Sequence, residues 1–235
     1  MSSGTEAKPS TAKKALPLWQ EVLLLLVTAL VLAVVVKTFL VQAFYIPSGS
    51  MENTLDKDDR ILVQKVSYWT GDVERGEIVV FDDPGEWLGP TEGREASNVV
   101  QEGLSLIGLY PTGGHLVKRV IGVAGDHVVC CDSEGRLELN GAPVQEAYLR
   151  PGLSPSDTKF DVTVPEGKLW VMGDNRNNSS DSRAHLGAPG GGFVSTDDVV
   201  GKVWTVVWPW SRIQFVDGVD NVFADVPAAE ASPGS

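Results

Sequence analysis

Cysteine is nearly absent. The 235-residue chain carries two, adjacent as Cys130 and Cys131, so neither a disulfide framework nor a thiolate-built four-ligand zinc site can be assembled. A bond between sequence neighbours is disfavoured by geometry, and the pair reads as two small residues finishing a strand after His127-Val128-Val129. Histidine is scarce too. His115, His127 and His185 are scattered, and no Gly-x-Ser-x-Gly elbow accompanies the serine singled out below, so a Ser-His-Asp triad has no support in the local sequence. Positive charge is in short supply, with 19 Lys and Arg against 31 Asp and Glu for a net charge of -12. Nucleic-acid affinity comes mostly from clustered cations that displace counterions, and without a basic stripe no nucleic acid is expected as a partner.

What is present is an ordinary apolar content of 43%, with 25 glycines and 14 prolines placed mainly between short β-branched runs. That punctuation predicts many short strands. Candidates are Arg60 to Val66, Glu77 to Phe81, Leu116 to Val123, His127 to Cys131, Leu137 to Leu139, Lys168 to Met172 and Lys202 to Trp208. Asn140-Gly141 predicts a tight hairpin between Leu137-Leu139 and Val144. Residues 1–15 and 224–235 are polar or Ala/Pro-rich and read as disordered tails, leaving a folded part over 44–223. Within it, an insertion over about 82–114 encloses Val99 to Tyr110, an apolar piece of roughly helical spacing that suits either a packed surface helix or a lipid surface.

Near the N-terminus every residue from Val22 to Val36 except Thr28 is apolar, and the run resumes as Phe39-Leu40-Val41. This predicts a single transmembrane anchor helix over 16–43, with Lys37 reaching the head groups. A removable secretory leader is the competing reading, since Val41-Gln42-Ala43 resembles a small-x-small cleavage site, but its apolar core would be unusually long. Lys8, Lys13 and Lys14 precede the run, and Glu52, Asp56, Asp58 and Asp59 follow it. The positive-inside rule then puts the N-terminus in the cytoplasm and the remainder outside.

Three segments carry chemistry. Ser48-Gly49-Ser50-Met51 offers a serine that needs a base. In Leu116-Val117-Lys118-Arg119-Val120-Ile121, strand alternation gives Lys118 the apolar company of Leu116 and Val120. Desolvation disfavours an ammonium and can leave a free amine near neutrality, able to take a serine proton; an edge-strand lysine with its head in water is the alternative. The third segment, Gly173 to Arg183, is a dense set of polar side chains after an apolar strand, in which Asp181 and Arg183 could pair.

Taken in order, the apolar anchor, Pro47-Ser48-Gly49-Ser50-Met51 with Thr54-Leu55, Asp59-Arg60-Ile61-Leu62-Val63, Lys118-Arg119-Val120-Ile121-Gly122 with Gly125-Asp126, and the Gly173 to Arg183 loop resemble the bacterial type I signal peptidase family. The resemblance implies a mostly β catalytic domain of coiled antiparallel sheets behind one transmembrane helix, without metal or organic cofactor. It implies Ser50 as nucleophile and Lys118 as general base, Ser48 assisting the Ser50 N–H at the oxyanion, and Ser179 orienting the amine. Arg119, Asp174, Asp181 and Arg183 would support the site, and Ile46 and Met51 would line shallow substrate pockets. Partners would be signal-peptide-bearing preproteins, cut after small-x-small motifs, and the lipid bilayer of the cell membrane. Asn53 stands where the family often has proline, which should loosen the turn after Ser50; Asn177 stands where aspartate is frequent, and Ala124 where proline or glycine is common. Two rivals remain: a tethered non-catalytic β domain that binds an envelope partner, and a serine–lysine core that cuts its own chain.

Overall fold

The structure is a computed structural model that describes residues 17–35, 40–85, 87–88, 114–216 and 219–229. The expected tail over 1–15, the piece from Val99 to Tyr110 and Lys37 lie outside them. The chain divides into two compact units, residues 1–38 and 39–235.

In the first unit, α1 (Leu18–Val35) is built from Leu, Val and Ala after Glu21, an acid in the first turn where the helix dipole favours it. Its 18 residues, at about 1.5 Å each, cover roughly 27 Å, less than the ~30 Å of a hydrocarbon core. No helix among the described residues is long and apolar enough to cross a membrane. The continuous helix expected over 16–43 is therefore corrected. Val41-Gln42-Ala43 open a strand instead, because their backbone groups pair across to residues 62–64 rather than along a helix.

The second unit comprises β1 (Val41–Tyr45), β2 (Arg60–Gln64), β3 (Ile78–Asp82), β4 (His115–Gly122), β5 (His127–Cys130), β6 (Leu137–Leu139), β7 (Ala142–Val144), β8 (Phe160–Thr163), β9 (Lys168–Met172), β10 (Val194–Ser195), β11 (Val199–Trp208) and β12 (Gln214–Phe215), with short helices α2 (Ser67–Thr70) and α3 (Asp220–Phe223). One sheet runs β1-β2-β11-β3-β4-β9-β10, with β12 added to β11; a smaller one runs β7-β6-β5-β8. The pairings from β1–β2 to β6–β7 are antiparallel, so the mostly β, antiparallel class expected from sequence holds. Asn140 and Gly141 both take positive φ, 52° and 79°, the geometry of a type I′ turn, and Leu137 faces Val144 across the hairpin. Cys130 ends β5, and its sulfur is bonded to that of Cys131, so the reading of the pair as merely two small residues at a strand end is corrected: they are joined as neighbours.

Apolar side chains gather in three clusters. Phe44, Ile46, Met51, Leu55, Ile61 and Val206 form one, against which Val117 packs. Leu116 and Val120 belong to a second with Phe81 and Val171, so β4 alternates between cores as its sequence implies. The third joins the small sheet to Ile121, Trp170 and Met172 of the large one. Val226 packs against this third cluster, and the Pro227 carbonyl accepts from Arg75 and Asn140, which holds residues 226 and 227 against the domain.

Candidate active site

The turn between β1 and β2 carries Ser50. Its neck is closed by two backbone bonds, Ile46 N–H to the Asp59 carbonyl and Asp58 N–H to the Ile46 carbonyl, each 2.9 Å. Its floor is apolar: Ile46, Met51 and Leu55 are 3%, 1% and 0% exposed. Ile46 and Met51, expected to line substrate pockets, are thus core side chains beneath the turn. Asp59 is buried as well, paired with Arg212 and accepting from the Asp56 N–H. With its ends tied and its apolar residues buried, the turn presents Ser50 on a fixed mount.

Lys118 comes from the middle of β4, flanked by β3 and β9, opposite Val79. An interior strand gives its side chain no route along a sheet edge to water, and the residue is 4% exposed. Its Nζ lies 2.7 Å from Ser50 Oγ, a full hydrogen bond between groups 68 residues apart. The edge-strand alternative is overturned. Ser48 Oγ stands 3.4 Å from Ser50 Oγ, long for a bond between hydroxyls but on the same side of the turn.

The loop after β9 completes the cluster. Gly173 lies so close to the turn that a Cβ there would fall 2.5 Å from the Ser50 carbonyl oxygen and 2.6 Å from Ser179 Cβ, which places Ser179 beside the nucleophile's backbone. Ser179 Oγ is buried; it makes no hydrogen bond of full geometry, yet it faces the Asp181 carboxylate closely enough to help hold it ionised. Asp181 grips its own loop, accepting from Gly173 N–H at 2.9 Å and from Arg183 Nε and Nη2 at 2.9 and 2.8 Å. Burial pushes the Asp181 carboxyl up, but the Arg183 guanidinium and the Gly173 N–H outweigh it and hold it below the usual carboxylate range. A carboxyl depressed on folding stabilises the fold above its unfolded pKa, about 3.9, and that contribution is lost as pH falls through the folded value. Unfolding midpoints of wild type and Asp181→Asn should therefore converge as pH drops below about 4; a gap unchanged down to the acid limit would contradict the assignment.

A second ion pair supports Ser50 from below. Arg119 Nε and Nη2 hold both oxygens of Asp174 at 2.8 and 2.5 Å, and Arg119 Nη1 reaches the Gly76 carbonyl at 2.7 Å. Thr54 Oγ1, four residues past the nucleophile, donates to the same carboxylate at 2.5 Å. Arg119 is thus the neighbour of the lysine in sequence and, through Asp174, of the serine in space.

Sequence reasoning missed several contributors. Asn53 does not loosen the turn: its φ of 90° is closed to proline, and Nδ2 donates to the Tyr148 carbonyl at 2.6 Å. The Tyr148 ring lies under the Arg119 guanidinium, 4.1 Å from its centre, and Glu146 pairs with the buried Arg176. Both come from the segment after β7, with nothing in its local pattern to connect it to Ser50. Asn175 was visible in the polar loop but without a role. Asn177 is exposed.

Known proteins match this arrangement along most of the chain. A family model described as signal peptidase, peptidase S26, matches residues 19–208. A probable signal peptidase I of Mycobacterium leprae is 39% identical over 243 residues, covering 90% of this chain and 83% of that one. A signal peptidase I of Mycobacterium tuberculosis is 39% identical over 237 residues, covering 91% and 80%. One of Bacillus licheniformis is 31% identical over 221 residues, covering 91% of this chain and 100% of its own. With likeness of that depth running through the serine turn, the lysine strand and the polar loop alike, the chain belongs to the type I signal peptidase family and is an enzyme of that family.

Proposed function

We propose that the enzyme cleaves signal peptides from exported preproteins by a serine–lysine mechanism. The observation that carries the reading is the 2.7 Å approach of the Lys118 amine to the Ser50 hydroxyl, with both residues buried. A serine hydroxyl attacks a peptide carbonyl only when a base takes its proton, and an amine serves only while uncharged. Burial disfavours the ammonium form, so the position of Lys118 suits that task. Ser50 Oγ bonds to the scissile carbon as its proton passes to Lys118. The oxyanion is met by the Ser50 N–H and the Ser48 hydroxyl. The lysine then gives the proton to the leaving amine, and afterwards draws one from the water that hydrolyses the acyl-enzyme. Ser179, beside the Ser50 backbone, is the hydroxyl we assign to orienting the amine; Asp181 and Arg183 keep that loop in shape.

Cleavage after small-x-small motifs is the specificity we assign to the site; Ile46 and Met51 form the apolar floor beneath the serine turn. The apolar side chains of α1 are exposed around the helix, a surface that suits lipid rather than water, so we assign membrane attachment to α1. Lys8, Lys13 and Lys14 precede α1, where cations suit the anionic head groups of such a surface.

The test incubates detergent-solubilised protein with a preprotein and sequences the new N-terminus. The expected product starts immediately after a small-x-small motif, and a bulky residue placed just before the cut blocks it. Cleavage of its own chain alone, or cutting indifferent to that residue, would overturn the reading.

A further inference from the structure

We infer that Asn175 is a positioning residue that presets the oxyanion donor at Ser50, an inference that rests on the serine–lysine reading. A peptide unit is planar and trans, so its carbonyl and its N–H point in opposite directions. The Gly49 carbonyl and the Ser50 N–H are the two ends of one such unit. Asn175 Nδ2 donates to the Gly49 oxygen at 2.9 Å, and the Asn175 backbone N–H donates to the Ser50 oxygen at 3.0 Å. One residue therefore grips the carbonyls on both sides of the Ser50 Cα. The same Gly49 oxygen accepts from the Glu52 N–H at 3.2 Å within the turn, and Asn175 adds the shorter bond; so held, the Ser50 N–H is turned the other way and cannot flip without breaking both.

The amide itself is oriented by a second acceptor. Asn175 Nδ2 also donates to Glu52 Oε2 at 3.1 Å, and because both partners only accept, the nitrogen must be the atom that faces them. Gly49 makes this approach possible, since a Cβ there would fall 2.5 Å from Glu52 Oε1. Asn175 is mounted between two buried ion pairs, Asp174 with Arg119 and Arg176 with Glu146. Its position is set before substrate arrives. Donors fixed in advance require no reorganisation when charge develops, which makes such a lock act on the transition state rather than on substrate binding.

The experiment compares wild type, Asn175→Ala and Asn175→Asp as full-length, detergent-solubilised protein on a peptide spanning a cleavage site. Each variant should lose about 10- to 100-fold in kcat with KM within about twofold of wild type. A peptide aldehyde, which forms a reversible tetrahedral adduct with a serine hydroxyl, should lose affinity in the same proportion, a change that a merely structural role would not produce. Where Asn175 variants fail to fold, Glu52→Ala frees the amide from its outer acceptor and should lower kcat several-fold at constant KM. Unchanged kcat, a loss confined to KM, or undiminished aldehyde affinity in a folded variant would overturn the inference. Normal turnover by Ser50→Ala would instead remove the serine–lysine reading on which it rests.

Discussion

Lys118→Ala and Ser50→Ala should each lower kcat/KM for preprotein cleavage by about 10⁴-fold or more, and the double variant should be scarcely worse than either. The two groups act as one unit, the hydroxyl useless without a proton acceptor and the amine useless without the hydroxyl, so their losses do not add. Lys118→Arg is the sharper comparison. A guanidinium keeps the charge and the reach but stays protonated in proteins, so it should be as inactive as alanine. A structural role for the charge would be met by arginine; a base would not. Only the free amine accepts a proton, so wild-type turnover should rise with pH through the lysine's titration. Processing at the wild-type rate by any of these variants, or by Lys118→Arg in particular, would refute the dyad.

Breaking the Arg119–Asp174 pair should have the largest effect on stability. Both groups are buried, at 1% and 0% exposure, and Asp174→Ala would leave a guanidinium without its counter-charge in the interior. Removing one partner of a buried pair costs about 3–5 kcal/mol, whereas replacing both by apolar residues of similar volume is often close to neutral. Asp174→Ala should therefore lower the denaturant midpoint more than Arg119→Met combined with Asp174→Leu. Thr54 also loses its acceptor in the single variant, so activity should fall beyond what the unfolded fraction explains. A double variant as unstable as the sum of the singles would show that neither charge is compensated by the other.

Some of this was legible along the chain. The strands expected from β-branched runs are found with their ends moved by at most three residues, as Lys202 to Trp208 became Val199–Trp208. β10 and β12, two residues each, are too short to leave a periodic trace. β1 was hidden at the end of an apolar run, where composition alone favours helix and only pairing with β2 decides for strand. Ser50 and Lys118 stand out locally, as a serine in a polar turn and a lysine that alternation on β4 gives apolar neighbours; the resemblance of their segments to a family then implies nucleophile and base. The type I′ turn at Asn140-Gly141 was decided locally, since those two residues tolerate positive φ.

Local order of residues thus determined where strands alternate, which turns are tight and which side chains are candidates, since such preferences act between near neighbours. What required the folded chain was adjacency: Lys118 within 2.7 Å of Ser50, Asn53 on the Tyr148 carbonyl, Asn175 on Gly49 and Ser50. Those contacts join residues 68 to 126 positions apart, and no periodicity encodes them. They arise because antiparallel pairing brings β4 beside β9, whose outgoing loop Gly173 allows to lie against the serine turn.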